Sequence, residues 1–185
     1  SRDVRFIEVK DPSPSLPVIS TSFTEEFDTV YKLVTKGWAI RDNSGANAQA
    51  RWKQGAMGKD KAGHPYGFPA YSFANSQDEF AYASVATTTY YPVTAVFTFY
   101  SVNSWLITPV LSVKNGDKFS FYTRGEEGTS YGDRLQVLMN KSSGSSVGYT
   151  TSSVGEFTIS LLDINSGQVP DGYPKTWTKY EYVFS

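Results

Sequence analysis

Apolar and polar residues alternate along much of this chain in short runs, and the period of each run names the element it can form. Strict alternation sends successive side chains to opposite faces of a strand, whereas spacing of three and four marks a helix. The cleanest strand pattern lies at 93–100. Val93, Ala95, Phe97 and Phe99 share one face there, and Thr94, Val96, Thr98 and Tyr100 share the other. In "YGDRLQVLMNK", Leu135, Val137 and Met139 point inward while Arg134 and Gln136 point outward. "TWTKYEYVFS" sets Tyr180, Tyr182 and Phe184 against Lys179, Glu181 and Val183. "RFIEVK", "TSFTEEF", "GWAIRD", "RWKQGAM", "EFAYASVATTT" and "VGEFTISLLDIN" supply further strands, with "TSFTEEF" opening the domain.

"NSWLITPVLSVKNGDKFSFYTR" (103–124) reads as a hairpin. "WLITPVLSV" is an apolar strand in which Pro109 marks an edge, an end or a bulge, because proline cannot donate to the ladder. Asn115-Gly116 turns the chain, since both residues tolerate positive φ. "DKFSFYTR" is the return strand, with Phe119, Phe121 and Thr123 on one face.

One segment has helical spacing: Phe27, Val30, Tyr31 and Val34 recur at three and four, and Gly37 ends the run. Between the periodic segments lie breakers. "DPSPSLP" at 11–17 is a linker, because each proline lacks a donor and restricts its predecessor. The stretch 59–76, "KDKAGHPYGFPAYSFANS", is a long surface loop rich in rings, and "SSGSSVGYTTSS" is a Ser/Gly/Thr loop. About eight to ten strands with turns between them describe an all-β chain. The architecture expected is an antiparallel β-sandwich of the jelly-roll type, with residues 1–18 as an extension and 19–185 as the domain. The strand–helix–strand rhythm of a parallel α/β sheet is missing.

Composition agrees and narrows the chemistry. The chain has 185 residues, with 13 Tyr, 12 Phe and no Cys. Aromatic side chains suit pleated, half-buried surfaces. Without cysteine there is no disulfide, thiolate metal site or thiol nucleophile. Formal net charge is −1 and basic residues do not cluster. That excludes the phosphate-tracking surface that nucleic-acid binding needs. No apolar run reaches the roughly 20 residues that cross a bilayer as a helix, so this segment is not expected to insert into a membrane.

Catalytic constellations are weak. His64 is the one histidine, it sits in the loop "AGHPYGF", and no Gly-x-Ser-x-Gly elbow accompanies it. Asp42, Asp60, Asp78, Glu79, Asp133 and Asp163 could form a carboxylate pair, but no spacing singles out two of them. The sequence therefore points to a chain that is not an enzyme. Four Trp residues, Trp38, Trp52, Trp105 and Trp177, read as core. Binding rests on exposed rings, on which the CH face of a pyranose can pack. Tyr66, Phe68, Tyr71 and Phe73 in the long loop offer such faces, as do Tyr90 and Tyr91. Two readings of these rings stand: ligand contact, or a satellite core beneath the loop. The run "TRGEEGTSYGDRL" adds Arg124 and Asp133 as charged candidates, with local ion pairing as the alternative role.

Five segments taken in order carry a resemblance. Gly37-Trp38, "WLITPVLSVKNGDKFSFYTR" (105–124 for the part from Trp105), "YGDRLQVLMN" (131–140), "VGEFTISLLDIN" (154–165) and "GYPKTWTKYEYVFS" (172–185) together resemble the choice-of-anchor J domain. That family is related to the cleaved adhesin domain of gingipain-type haemagglutinins, and the likeness covers roughly residues 20–185. It implies a galactose-binding-domain-like jelly roll, secreted or anchored at the surface of a Gram-negative bacterium, often within a lipoprotein. The implied role is non-catalytic adhesion to a glycan or a host surface protein. The runner-up is a structural spacer with no ligand of its own. The family motif Asp-Arg-Leu falls on Asp133, Arg134 and Leu135. In related jelly rolls a calcium ion ties the first strand to the last, which places Glu25 and Asp28 as candidate ligands and calcium as the candidate cofactor. The C-terminal Asp pair that would complete such a site is missing. Family members continue beyond the strand that holds Trp177, so the expectation is a domain without its last strands.

Overall fold

The computed structural model describes residues 3–5, 22–45, 50–55, 57–59, 65–67, 79–83, 101–128, 130–142 and 144–185, with backbone alone for 3–5, 57–59 and 65–67. Among these residues the chain is built from strands and one short helix. The strands are β1 (Asp3–Arg5), β2 (Ala39–Asp42), β3 (Lys53–Gln54), β4 (Met57–Lys59), β5 (Pro65–Gly67) and β6 (Ala81–Tyr82). They continue with β7 (Ser104–Ile107), β8 (Lys118–Thr123), β9 (Arg134–Met139), β10 (Ile159–Ile164) and β11 (Thr178–Val183). The described residues are of the all-β class, as the composition foretold. The expected linker at 11–17 and the alternating run at 93–100 lie outside the described residues.

The largest sheet has the order β10-β9-β1-β7-β2. β7 runs antiparallel to β2, and β10 runs antiparallel to β9. β1 lies between β7 and β9 and is parallel to both, which an all-antiparallel expectation did not foresee. Its register joins Val4 to Ser104 on one side and to Leu135 on the other. Side chains alternate by twos, so Leu106 shares a face with Leu135 and Val137, while Trp105 and Ile107 share the other with Leu138. Both faces are covered. Leu106, Ile40 and Trp38 pack on Val30 and Leu33 of the helix, and Trp105 and Ile107 pack with Leu138, Val147 and Phe157. This two-sided burial explains why β7 reads as an unbroken apolar run rather than an alternating one.

The hairpin expected at 103–124 does not form. β8 pairs with β11, from Lys118 opposite Val183 to Thr123 opposite Thr178, and β7 stays in the other sheet. Pro109 follows the end of β7, and the turn at 114–117 carries the chain from one sheet to the other. Only Gly116 takes a positive φ there, +92°. That is the pattern of a type II turn, whereas the two-residue hairpin prefers type I′ with both central residues positive. Asp117 closes the turn: its N–H donates to Lys114 O at 3.0 Å and its Oδ2 accepts from Lys114 N–H at 2.9 Å. Gly116 N–H then donates to Phe184 O at 2.8 Å, and Phe184 N–H to Asp117 O at 2.9 Å. The turn is thus bound to the end of β11.

Apolar residues of this second ladder meet those of the first. Val137, Met139 and Leu161 form one cluster with Phe184, flanked by Phe119, Phe121 and Tyr182. Leu135, Ile164 and Tyr173 form the next, beside Phe121 and Tyr180. A register shift between Ser160 and Leu162 in β10 lets Leu161 turn into the first cluster.

The segment "TSFTEEF", expected as the first strand, has no regular structure over 22–27. The helix after it is a 3-10 helix, Val30–Lys36. Its three-residue repeat aligns Val30 with Leu33, and these two are buried. Tyr31 and Val34, expected on the inner face from a 3.6 period, are exposed. Gly37 ends the helix in the left-handed conformation, φ +86°, as the sequence indicated. "RWKQGAM" divides into β3 and β4, and part of the long loop, Pro65–Gly67, pairs with β4.

Candidate functional site

A cleft of about 730 Å³ opens beside the second ladder. Leu106 and Leu135 of the five-stranded sheet and Phe119 and Phe121 of β8 form its apolar floor. Its rim is made by the irregular segment 22–27, and Trp52, Phe80 and Trp177 stand in its wall. Phe80 meets Trp177 edge to face, with ring centroids 6.3 Å apart. Gly55 makes this possible: a Cβ there would collide with the Phe80 ring, and Gly55 N–H donates to Phe80 O at 2.6 Å.

The rim is held by side chains rather than by a ladder. Gln54 in β3 donates through Nε2 to Phe27 O at 2.9 Å and accepts from Val30 N–H at 2.7 Å. Phe27 sits at φ +61°, a left-handed conformation that a bulky residue adopts only when its surroundings enforce it. Glu25 supplies part of that enforcement by accepting the Phe27 N–H at 3.1 Å. The same carboxylate pairs with Lys36 Nζ at 2.9 Å. Phe27 in turn meets Trp38 edge to face at 5.8 Å.

Charged residues are numerous along this cleft, with Glu25, Glu26, Lys114, Asp117 and Lys118 among its lining. Glu79, Arg124 and Asp133 line it. Arg124 donates to Gly125 O at 3.2 Å and to Glu127 Oε1 at 3.0 Å. Asp133 is 4% exposed, and its carbonyl accepts from Asn165 Nδ2 at 2.8 Å. Arg124 and Asp133, singled out from a charged run, are therefore brought to one site. Arg134, also among the lining residues, forms a bidentate pair with Asp163 at 2.8 and 2.6 Å.

The other sequence candidates fare differently. Tyr66 belongs to β5, whose backbone alone is described. Phe68, Tyr71, Phe73, Tyr90, Tyr91 and His64 lie outside the described residues. Glu25 lines the cleft with its carboxylate engaged by Lys36 and Phe27, and Asp28 is exposed. Among the described residues no group of three His, Cys, Asp or Glu side chains is placed to hold a metal ion. Among them, too, no helix is long and apolar enough to cross a membrane.

Sequence reasoning overlooked Trp52 and Trp177 as wall residues by assigning all four tryptophans to the core. Trp105 is wholly buried, but Trp52 and Trp177 are only half-buried. Their neighbours carried the signal: Trp52 stands between Arg51 and Lys53, and Trp177 between Thr176 and Thr178. Aromatic walls and an apolar floor with charged residues around them are the makeup of a site for a small or extended ligand. No protein-family model, no curated protein and no solved structure matches the chain.

Proposed function

We propose that this chain is a non-catalytic binding module of the choice-of-anchor J kind, displayed at the surface of a Gram-negative bacterium, that adheres to a carbohydrate or a host surface protein. The observation that carries this reading is the cleft, in which the rings of Trp52, Phe80 and Trp177 stand beside Glu79, Arg124 and Asp133. Ring faces pack on the CH face of a pyranose, and planar charged groups accept and donate to its hydroxyls. The apolar clusters shared by the β8–β11 ladder and β9–β10 support a jelly-roll sandwich as the frame.

Glycan arrays and adhesion assays on mucin and matrix proteins test the proposal. Wild-type protein is expected to bind, Trp177→Ala and Arg124→Ala to lose binding, and both variants to keep a cooperative thermal transition. Silence of folded wild-type protein on every surface would overturn the reading.

A further inference from the structure

A second feature, outside the cleft, has no part in holding the fold together. Tyr149 is 97% exposed at the tip of the loop between β9 and β10. A ring left in water adds almost nothing to folding, yet the loop beneath it is fixed by a dense set of bonds. The amide of Asn43 donates to Gly148 O at 2.8 Å and to Val147 O at 3.4 Å. The amide of Asn103, itself fully buried, donates to Thr150 O at 3.0 Å and Ser153 O at 2.9 Å. Two side chains thus grip carbonyls on both sides of Tyr149. They are locked to each other as well, because Asn43 N–H donates to Asn103 O at 2.9 Å.

The base is closed just as firmly. Ser146 and Glu156 exchange two bonds: Glu156 N–H donates to Ser146 O and Ser146 N–H to Glu156 Oε2, each at 2.9 Å. Val147 and Phe157 anchor the loop in the cluster around Trp105. Gly148, directly before the tyrosine, has φ +75°, and a Cβ there would strike Ser153. Above the base, Thr150 Oγ1 and Ser153 Oγ are 2.6 Å apart.

We infer that this loop presents Tyr149 as a stacking platform for a neutral hexopyranose unit of a glycan. Residues 144–155 contain no charged side chain, while Ser145, Ser146, Thr150, Thr151 and Ser152 are exposed in the same loop. An exposed ring in a loop of neutral hydroxyl residues complements a sugar that has one CH face and equatorial hydroxyls. It does not complement a phosphate, a sulfate or a carboxylate, which call for a cation. A single ring contributes about 150–250 Å², far below the roughly 1,200–2,000 Å² of a stable protein–protein interface. A pre-organised loop also spares the ligand the ordering of the site, the same physics by which rigid Tyr, Ser and Gly loops serve as recognition surfaces.

The inference stands apart from the cleft, because residues 144–155 are not among those that line it. Its test is a titration of the ¹⁵N-labelled full chain with neutral galactose-, glucose- and N-acetylhexosamine-containing oligosaccharides, followed by amide shifts. Shifts are expected to centre on 147–153 and on the side-chain amides of Asn43 and Asn103. Tyr149→Ala should weaken this binding about tenfold or more, Tyr149→Phe should retain it, and Trp177→Ala should leave it unchanged. Because Tyr149 is exposed, its variants should melt as wild type does. Absence of loop shifts at millimolar saccharide overturns the inference, as does equal binding by Tyr149→Ala or a preference for sialylated or sulfated sugars. Shifts confined to the cleft, abolished by Trp177→Ala and not by Tyr149→Ala, overturn it while leaving the cleft reading intact.

Discussion

Asn103 shows how much one buried amide can decide. It lies just before β7, and its two donor hydrogens meet two carbonyls of a loop that is distant in sequence. Removing the side chain breaks both hydrogen bonds, each worth about 0.5–1.5 kcal/mol. Asn103→Ala is therefore expected to lower the denaturant midpoint clearly. Asn103→Asp should be worse, because a carboxylate would face two carbonyl oxygens with no proton to offer. Urea unfolding of both variants checks the order, and an Asp variant as stable as wild type would refute the role given to the amide. Nothing in "SVNSWLIT" separates this asparagine from a turn residue, since the acceptors of its side-chain amide sit beyond Lys141.

At the scale of elements, alternation was legible and pairing was not. The faces of β9 and β11 are those their sequences predict: Leu135, Val137 and Met139 are buried, and Phe184 is buried where Val183 is exposed. The partner of β8 was misread because an Asn-Gly turn beside two apolar runs says nothing about which ladder receives the second run. Tertiary contacts chose β11. That ladder carries a charge cluster on its outer face, where Glu181 sits between Lys118 Nζ at 3.0 Å and Lys179 Nζ at 3.3 Å. Hydrogen bonds from Lys118 and then Lys179 hold the Glu181 carboxyl below its usual value of 4.5. A carboxyl lowered in the folded state stabilises above its unfolded pKa, and that share disappears as pH falls through the folded value. Wild type should exceed Glu181→Gln in stability near neutrality, with the gap closing at pH below the ordinary glutamate range. Because the group is exposed, the gap should also shrink in high salt. Denaturant midpoints at two pH values and two salt concentrations measure both effects.

For the whole molecule, the two ladders depend on each other through Phe184 and its neighbours. Phe184 packs on Val137, Met139 and Leu161, and its backbone binds the turn at Gly116 and Asp117. Phe184→Ala should cost about 3–5 kcal/mol, the range for deleting a buried aromatic side chain. Val183→Ala, one residue earlier on the exposed face, should change stability by less than about 0.5 kcal/mol. Equal effects of the two substitutions, read by thermal unfolding, would show that the ladders do not share a core.

By itself the sequence determined the strand-rich class, the inward faces of β9 and β11, and the end of the helix at Gly37. These follow from local physics: side-chain period and backbone freedom. Only the tertiary structure decided that β8 leaves β7 for β11, and that β1 enters in parallel between β7 and β9. It alone brought Trp52, Phe80 and Trp177 around one cleft, and it alone set Asn43 and Asn103 beneath Tyr149. Each of these depends on which distant surfaces meet, and hydrophobic burial is indifferent to sequence separation. A pattern of apolar residues states that a face must be covered, and the rest of the chain decides by what.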